Sequence, residues 1–242
     1  MKVLITGATS GIGLALVKLY KSYQHEVIAI GRNKQVLIDL ENQGIEVCQL
    51  DLINLDDTRS TFKKIADKHQ KIDLAILNAG IWEFFDCKNF DAELVKRIFD
   101  SNVITLANSI EGVLPLLRKS SAPHLAGVAS IAGYLPLPRA EAYGASKAAA
   151  DYLFETLAIT LKKENIAVSV INPGFVKTPM TAKNNFPMPF ALEVDVAAKI
   201  IFKGLEARKA EIHFPYSLTI PMKLMSLMPR TWWRILGRKL IK

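Results

Sequence analysis

The chain predicts an α/β fold: a doubly wound parallel sheet with helices on both faces, forming a single domain over residues 1–214. Short β-branched runs alternate with amphipathic runs from the first residues onward. The apolar runs show no inside–outside alternation, as expected of strands covered on both faces. A glycine-rich turn joins the first strand to the first helix, the edge at which open α/β sheets bind ligands.

The elements follow in order. Val3-Leu4-Ile5 is a strand ended by Gly7, and Ile12 to Tyr20 carries apolar residues at helical spacing. Val27 to Ile30 is the second strand, stopped by Gly31, and Gln35 to Asn42 a helix with Gly44 just beyond its end. Ile45 to Leu50 is a third strand, Leu55 to Lys68 a helix, and Leu74 to Leu77 a fourth strand closing on Asn78-Ala79-Gly80. Helices are expected at 91–118, 142–163 and 194–207, and strands at 125–130 and 166–171.

Composition narrows the function classes. Half of the 242 residues are hydrophobic and 22% are charged, which excludes a disordered or fibrous chain. Two cysteines, Cys48 and Cys87, are too few for a disulfide scaffold and read as inert thiols. The N-terminus enters a glycine loop too early for a signal peptide, and no apolar run has the length to span a membrane. A cytoplasmic protein is expected. The net charge of +8 is concentrated at one end: from Ile212 to Lys242 there is no Asp or Glu, against Lys223, Arg230, Arg234, Arg238, Lys239 and Lys242. Residues 215–242 therefore read as a basic amphipathic C-terminal extension.

In Thr6-Gly7-Ala8-Thr9-Ser10-Gly11-Ile12-Gly13, Gly7 permits a sharp turn, while Gly11 and Gly13 remove side chains where backbone approaches a ligand or packs a helix. The helix-start N–H groups then suit a pyrophosphate. The spacing is G-x-x-x-G-x-G, not the general dinucleotide fingerprint, and the same turn could serve strand-to-helix geometry alone. At the end of the second strand, where an acid would bond the ribose of NAD, stand Arg32 and Asn33. A guanidinium suits a 2′-phosphate, so NADP(H) is preferred with NAD(H) admissible. The alternative is a solvated loop cation. Asp51, with Leu52, is placed to touch the adenine edge, or else to cap the following helix.

Tyr143 and Lys147 stand at i and i+4 on one helix face, so a phenol and an ammonium are neighbours. The cation, joined by a cationic nicotinamide, is expected to favour the phenolate and lower a pKa that is ordinarily about 10. The pentapeptide alone equally fits a surface Tyr beside a solvated Lys. Two further residues shift the balance. Ser130 emerges at the carboxyl end of a strand, where it could hold a carbonyl oxygen or simply cap a loop. Asn102 lies on the apolar face of its helix; a buried amide needs partners, which could equally make it a core residue fixing the helix.

These residues resemble the short-chain dehydrogenase/reductases in their single-domain, Rossmann-like form. The resemblance covers residues 1 to about 210, and rests on the glycine turn, Asn78-Ala79-Gly80, Asn102, Ser130 with Tyr143 and Lys147, and Pro173-Gly174 with Thr178. It implies a catalytic tetrad of Asn102, Ser130, Tyr143 and Lys147. Tyr143 would be the general acid or base, Ser130 would orient the carbonyl, Lys147 would hold the nicotinamide ribose, and Asn102 would anchor a proton-relaying water. Cofactor contacts would come from Gly7, Thr9, Ser10, Gly11, Ile12, Gly13, Arg32, Asn33, Asp51, Leu52, Asn78, Ala79, Gly80, Tyr143 and Lys147. Pro173, Gly174, Val176 and Thr178 would flank the nicotinamide. Leu77 departs from the pattern, since many relatives carry a second Asn there. The implied function is hydride transfer between nicotinamide and a carbonyl or secondary alcohol, with the cofactor supplying the redox chemistry and no metal. Alternatives are a sugar-nucleotide epimerase or dehydratase, which usually has a longer C-terminal domain, and a non-catalytic dinucleotide sensor. A homodimer or homotetramer is implied.

Trp82, Phe84 and Phe85, with the Phe186–Phe190 segment of the loop after Thr178, suggest a lipophilic small-molecule substrate, although such side chains also pack on their own domain. The extension combines large apolar residues with cations only, fitting either an amphipathic helix on an anionic inner-membrane surface or one docked on its own domain or a neighbouring subunit. Nucleic acid is not expected, since no recognition motif surrounds these cations. His25, His69, His124 and His213 lack metal-ligand spacing and are expected on loops or helix ends.

Overall fold

The computed structural model describes residues 1–184 and 186–238. Its first half repeats strand and helix as the periodicity predicts: β1 (Lys2–Thr6), α1 (Gly11–Ser22), β2 (Glu26–Gly31), α2 (Lys34–Glu41), β3 (Glu46–Gln49), α3 (Leu55–His69) and β4 (Leu74–Leu77). Local chemistry starts these helices. Asn33 Oδ1 accepts from Val36 N at the head of α2, and Asn54 accepts from Asp56 N and Asp57 N at the head of α3. In α3, acids occupy the first turn and Lys68 and His69 the last, both favourable to the helix dipole.

The expected helix over 91–118 is interrupted. α4 (Ala92–Phe99) and α5 (Thr105–Leu117) are separated by a π-turn, Asp100–Ile104, that contains Asn102. Continuous apolar spacing hides such a one-residue insertion, which often marks a functional site. Then come β5 (His124–Val128), α6 (Glu141–Thr160), β6 (Ala167–Pro173), the short pair β7 (Val176–Lys177) and β8 (Leu192–Glu193), α7 (Val194–Glu206) and β9 (Glu211–Phe214). The last three strands were not expected. Each is only two to four residues long, too short for a periodic signal. His124 and His213 lie inside strands rather than on loops, and His124 is buried with its ring nitrogen 2.7 Å from Ser169 Oγ.

The main sheet has seven parallel strands in the order β3-β2-β1-β4-β5-β6-β9. One face buries Phe62, Ile110, Val113 and Phe154 against the sheet, the other Leu16, Tyr20, Ile201 and Leu205. Gly127 of β5 sets the seat of α6: a Cβ there would lie 1.8 Å from Cε2 of Phe154. The missing side chain lets that ring rest directly on the sheet and fixes the helix bearing Tyr143 and Lys147.

Beyond β9 the extension folds as α8 (Tyr216–Ser226) and α9 (Arg230–Gly237), and residues 239–242, with two of its cations, lie outside the described residues. Both helices dock. Met222 is buried beside Ile131 and Leu135, Lys223 pairs with Glu211, and Trp233 Nε1 donates to Pro136 O at 2.8 Å. Among the described residues no helix is long and apolar enough to cross a membrane.

Candidate active site

A cleft opens along the carboxyl ends of the central strands, where the chain order reverses between β1 and β4. Nearly all the expected cofactor residues line it: Gly7, Thr9, Ser10, Gly11 and Ile12 from the turn, Arg32, Asp51 and Leu52 at one end, Asn78, Ala79 and Gly80 in the middle, and Pro173, Gly174, Val176 and Thr178 opposite. Ser130, Tyr143 and Lys147 line it as well.

Three expected residues do not. Gly13 sits beneath the turn, where a Cβ would lie 2.2 Å from Gly7 O, so its contribution is steric. Asn33 is occupied as the α2 cap. Asn102 lies behind the cleft wall.

The turn leaves room for close approach to its backbone. Gly7 and Gly11 have φ of +64° and +50°, conformations that side chains disfavour. Ser10 makes no side-chain cap and α1 has no acid in its first turn, so the helix start keeps both its N–H groups and its positive end for an anion. Arg32 and Asp51 approach to 3.7 Å at the rim, both well exposed. Asp51 is not the α3 cap; its Oδ1 accepts from Ile53 N instead, the cap being Asn54.

Ser130 is extended and its Oγ accepts from Ala132 N at 3.1 Å, so the capping role is real. The same hydroxyl faces the Tyr143 phenol and lowers its pKa, against burial, which is the larger influence and raises it. Lys147 is buried, donates to Val128 O at 2.9 Å, and has its Nζ 5.8 Å from the centroid of the Tyr143 ring. Burial lowers its pKa to about 8. At Tyr143 burial thus outweighs the acidification expected from Lys147 and holds the phenol up. Desolvation disfavours both charges, and the spacing alone could not reveal how dry the helix face is.

This has a measurable consequence. Between pH 10.5 and 8 the unfolded lysine binds a proton that the folded one resists, so wild-type stability falls as pH drops through that window. Lys147→Met removes the penalty. Its stability relative to wild type should rise by about 3 kcal/mol over the same interval, as read by denaturant melts. Parallel pH curves would refute a desolvated Lys147.

Asn102 is a clamp. Its Oδ1 accepts from Ile81 N at 2.7 Å, and its Nδ2 donates to Ile81 O at 3.0 Å and Ser146 Oγ at 2.9 Å. Both amide hydrogens are thus spent on protein, tying the loop after β4 to α6. Ile81 and Ser146 went unnoticed in the sequence because neither carries a motif.

Next to Tyr143, Trp82 stands edge-on with centroids 4.9 Å apart and donates from Nε1 to Asn184 Oδ1 at 2.9 Å. Phe84 packs on Trp82 and on Phe186, which meets Phe175. Phe85, grouped with these by sequence, is instead buried with Leu94 and Ile98, and Phe190 is exposed. Among the described residues no group of His, Cys, Asp and Glu could hold a metal.

A family profile described as short chain dehydrogenase matches residues 1–188. An uncharacterised oxidoreductase of Myxococcus xanthus is 33% identical over 243 residues, covering 98% of this chain and 96% of its own. Two solved structures share the fold: a short-chain dehydrogenase/reductase of Burkholderia phymatum in complex with NAD (TM-score 0.82, 22% identity, 92% of each chain) and a short-chain dehydrogenase of Sphingobium yanoikuyae in complex with NADPH (TM-score 0.80, 24% identity, 95% of this chain and 96% of that one).

Proposed function

The chain belongs to the short-chain dehydrogenase family, and from that premise we propose that it is an NADP(H)-preferring oxidoreductase acting on a lipophilic carbonyl or secondary alcohol, with Tyr143 as general acid/base. The observation that carries this reading is the convergence of Ser130, Tyr143 and Lys147 on one cleft whose other end is the uncapped glycine turn.

The residues fit a nicotinamide dinucleotide. The start of α1 would receive the pyrophosphate, Asn78 to Gly80 the adenosine side, and the Pro173–Thr178 segment the nicotinamide. When bound, the cofactor supplies or accepts the hydride. The protein manages the proton. Ser130 Oγ holds the substrate oxygen, and Tyr143 delivers its phenolic proton to that oxygen during reduction. Burial keeps the phenol in its protonated form, the one that donates, while making it a weaker acid. Lys147, tethered to Val128 O, is placed to touch the ribose. The aromatic wall of Trp82, Phe84 and Phe186 favours an apolar substrate body. Exposed Tyr152 and Ile159 on α6 support a homo-oligomer through that helix.

NADPH oxidation monitored across ketones and aldehydes, with secondary alcohols for the reverse reaction, tests the activity; no turnover on any of them would remove it. For Arg32, charge-assisted bonds to a phosphate predict that Arg32→Ala lowers the NADPH-to-NADH ratio of kcat/KM about tenfold or more. An unchanged ratio would sink the phosphate role.

A further inference from the structure

The last two helices leave one face uncovered. Tyr216, Ile220 and Leu224 stand at i, i+4 and i+8 of α8, on a single side of the helix. They are 58%, 48% and 63% exposed, and Leu227 at the helix end is 82% exposed. The other side of α8 is buried through Thr219 and Met222. In α9, Trp233 and Gly237 face the domain while Trp232, Ile235 and Leu236 face outward at 61%, 61% and 39%. Seven large apolar side chains are thus exposed within 21 residues of chain, a clustering of the kind that marks interaction surfaces. Arg230, Arg234 and Arg238 are exposed among them, and the sequence has no carboxylate from Ile212 onward.

From this combination we infer that the outer faces of α8 and α9 form a docking surface for an anionic lipid bilayer. Phosphate headgroups would pair with the three guanidinium groups while the apolar side chains enter the acyl boundary, with Tyr216 and Trp232 suited to the headgroup level. A second copy of the chain is the poorer occupant, since pairing this face with itself would set arginines against arginines with no acid on the segment to offset them. An eight-residue α9 is about 12 Å long, so the pair would lie in the interface and not span it. The surface starts beside the cleft. Gly174 N donates to Phe214 O at 2.7 Å, one residue before α8's cap, Pro215, and Leu218 Cδ2 lies 3.3 Å from where a Gly174 side chain would begin. This assignment stands apart from the oxidoreductase reading.

Full-length protein is sedimented with phosphatidylcholine vesicles, with and without phosphatidylglycerol, at low and high salt. Two triple variants are compared, Leu224→Ser/Leu227→Ser/Trp232→Ala and Arg230→Gln/Arg234→Gln/Arg238→Gln. The expected result is salt-sensitive binding to the anionic vesicles, weakened about a hundredfold by the arginine set and at least tenfold by the apolar set. Thermal midpoints and elution volumes should stay at wild-type values. Equal sedimentation of the wild-type protein with neutral vesicles, anionic vesicles or none would overturn the proposal, as would anionic binding that the arginine set leaves intact. A smaller elution species in the apolar set would give the face to a second copy and overturn it likewise.

Discussion

Replacing Tyr143 by Phe should lower kcat by about 10²–10⁴-fold, the usual contribution of one positioned acid or base, with NADPH affinity within a few-fold of wild type. The variant deletes a single oxygen. The ring keeps its edge-on contact with Trp82 at 4.9 Å, Lys147 keeps its bond to Val128 O and Ser130 keeps Ala132 N. The other groups placed to touch the cofactor are undisturbed, so the loss belongs in kcat and in kcat/KM to the same degree, the pattern of an interaction made only in the transition state. Steady-state kinetics on any accepted carbonyl, paired with NADPH fluorescence titration, separates the two quantities. Turnover near wild type would remove Tyr143 from the chemistry, and loss of NADPH binding would make its hydroxyl a cofactor contact first.

Asn102→Ala should be the more damaging change to the whole molecule. It strips both backbone groups of Ile81 of their partner and leaves Ser146 Oγ without its donor. Ser146 Oγ still donates to Tyr143 O, so the two Ile81 groups, at about 1–3 kcal/mol each, set an expected destabilisation of about 2–6 kcal/mol in urea melts. Activity should fall too, because Ile81 sits between Gly80, which lines the cleft, and Trp82, which packs on Tyr143. An Asn102→Ala protein as stable as wild type would show that water replaces the amide without cost. That outcome would dismiss the clamp.

These two residues differ in how they could be found from the chain. Tyr143 and Lys147 lie within five consecutive residues, and helical geometry alone puts them on one side. Asn102 could be picked out as a polar residue on an apolar stripe, but its partners, 21 and 44 positions away, could not. The π-turn that holds it inserts no residue type that periodicity would flag. β9 was missed for a related reason. Its four residues acquire strand character only through pairing with β6. The extension shows the same divide, since its composition permitted either docking or a membrane face. Trp233 and Met222 turn inward while Leu224 and Trp232 stay outward, so docking accounts for one side of these helices and leaves the other exposed.

Alternation of apolar runs, glycine placement and helical spacing were enough to specify the sheet class, the glycine turn and the Tyr143–Lys147 pair, because each is written in residues a few positions apart. Assembly of the cleft, the clamp on Ile81 and the charge states within the site arise from packing. Seven parallel strands bring distant strand ends to one edge, and the helices laid over them exclude water. That exclusion holds the Tyr143 phenol up and brings the Lys147 ammonium down to about 8, a balance of solvation that depends on every neighbour at once and on no spacing along the chain.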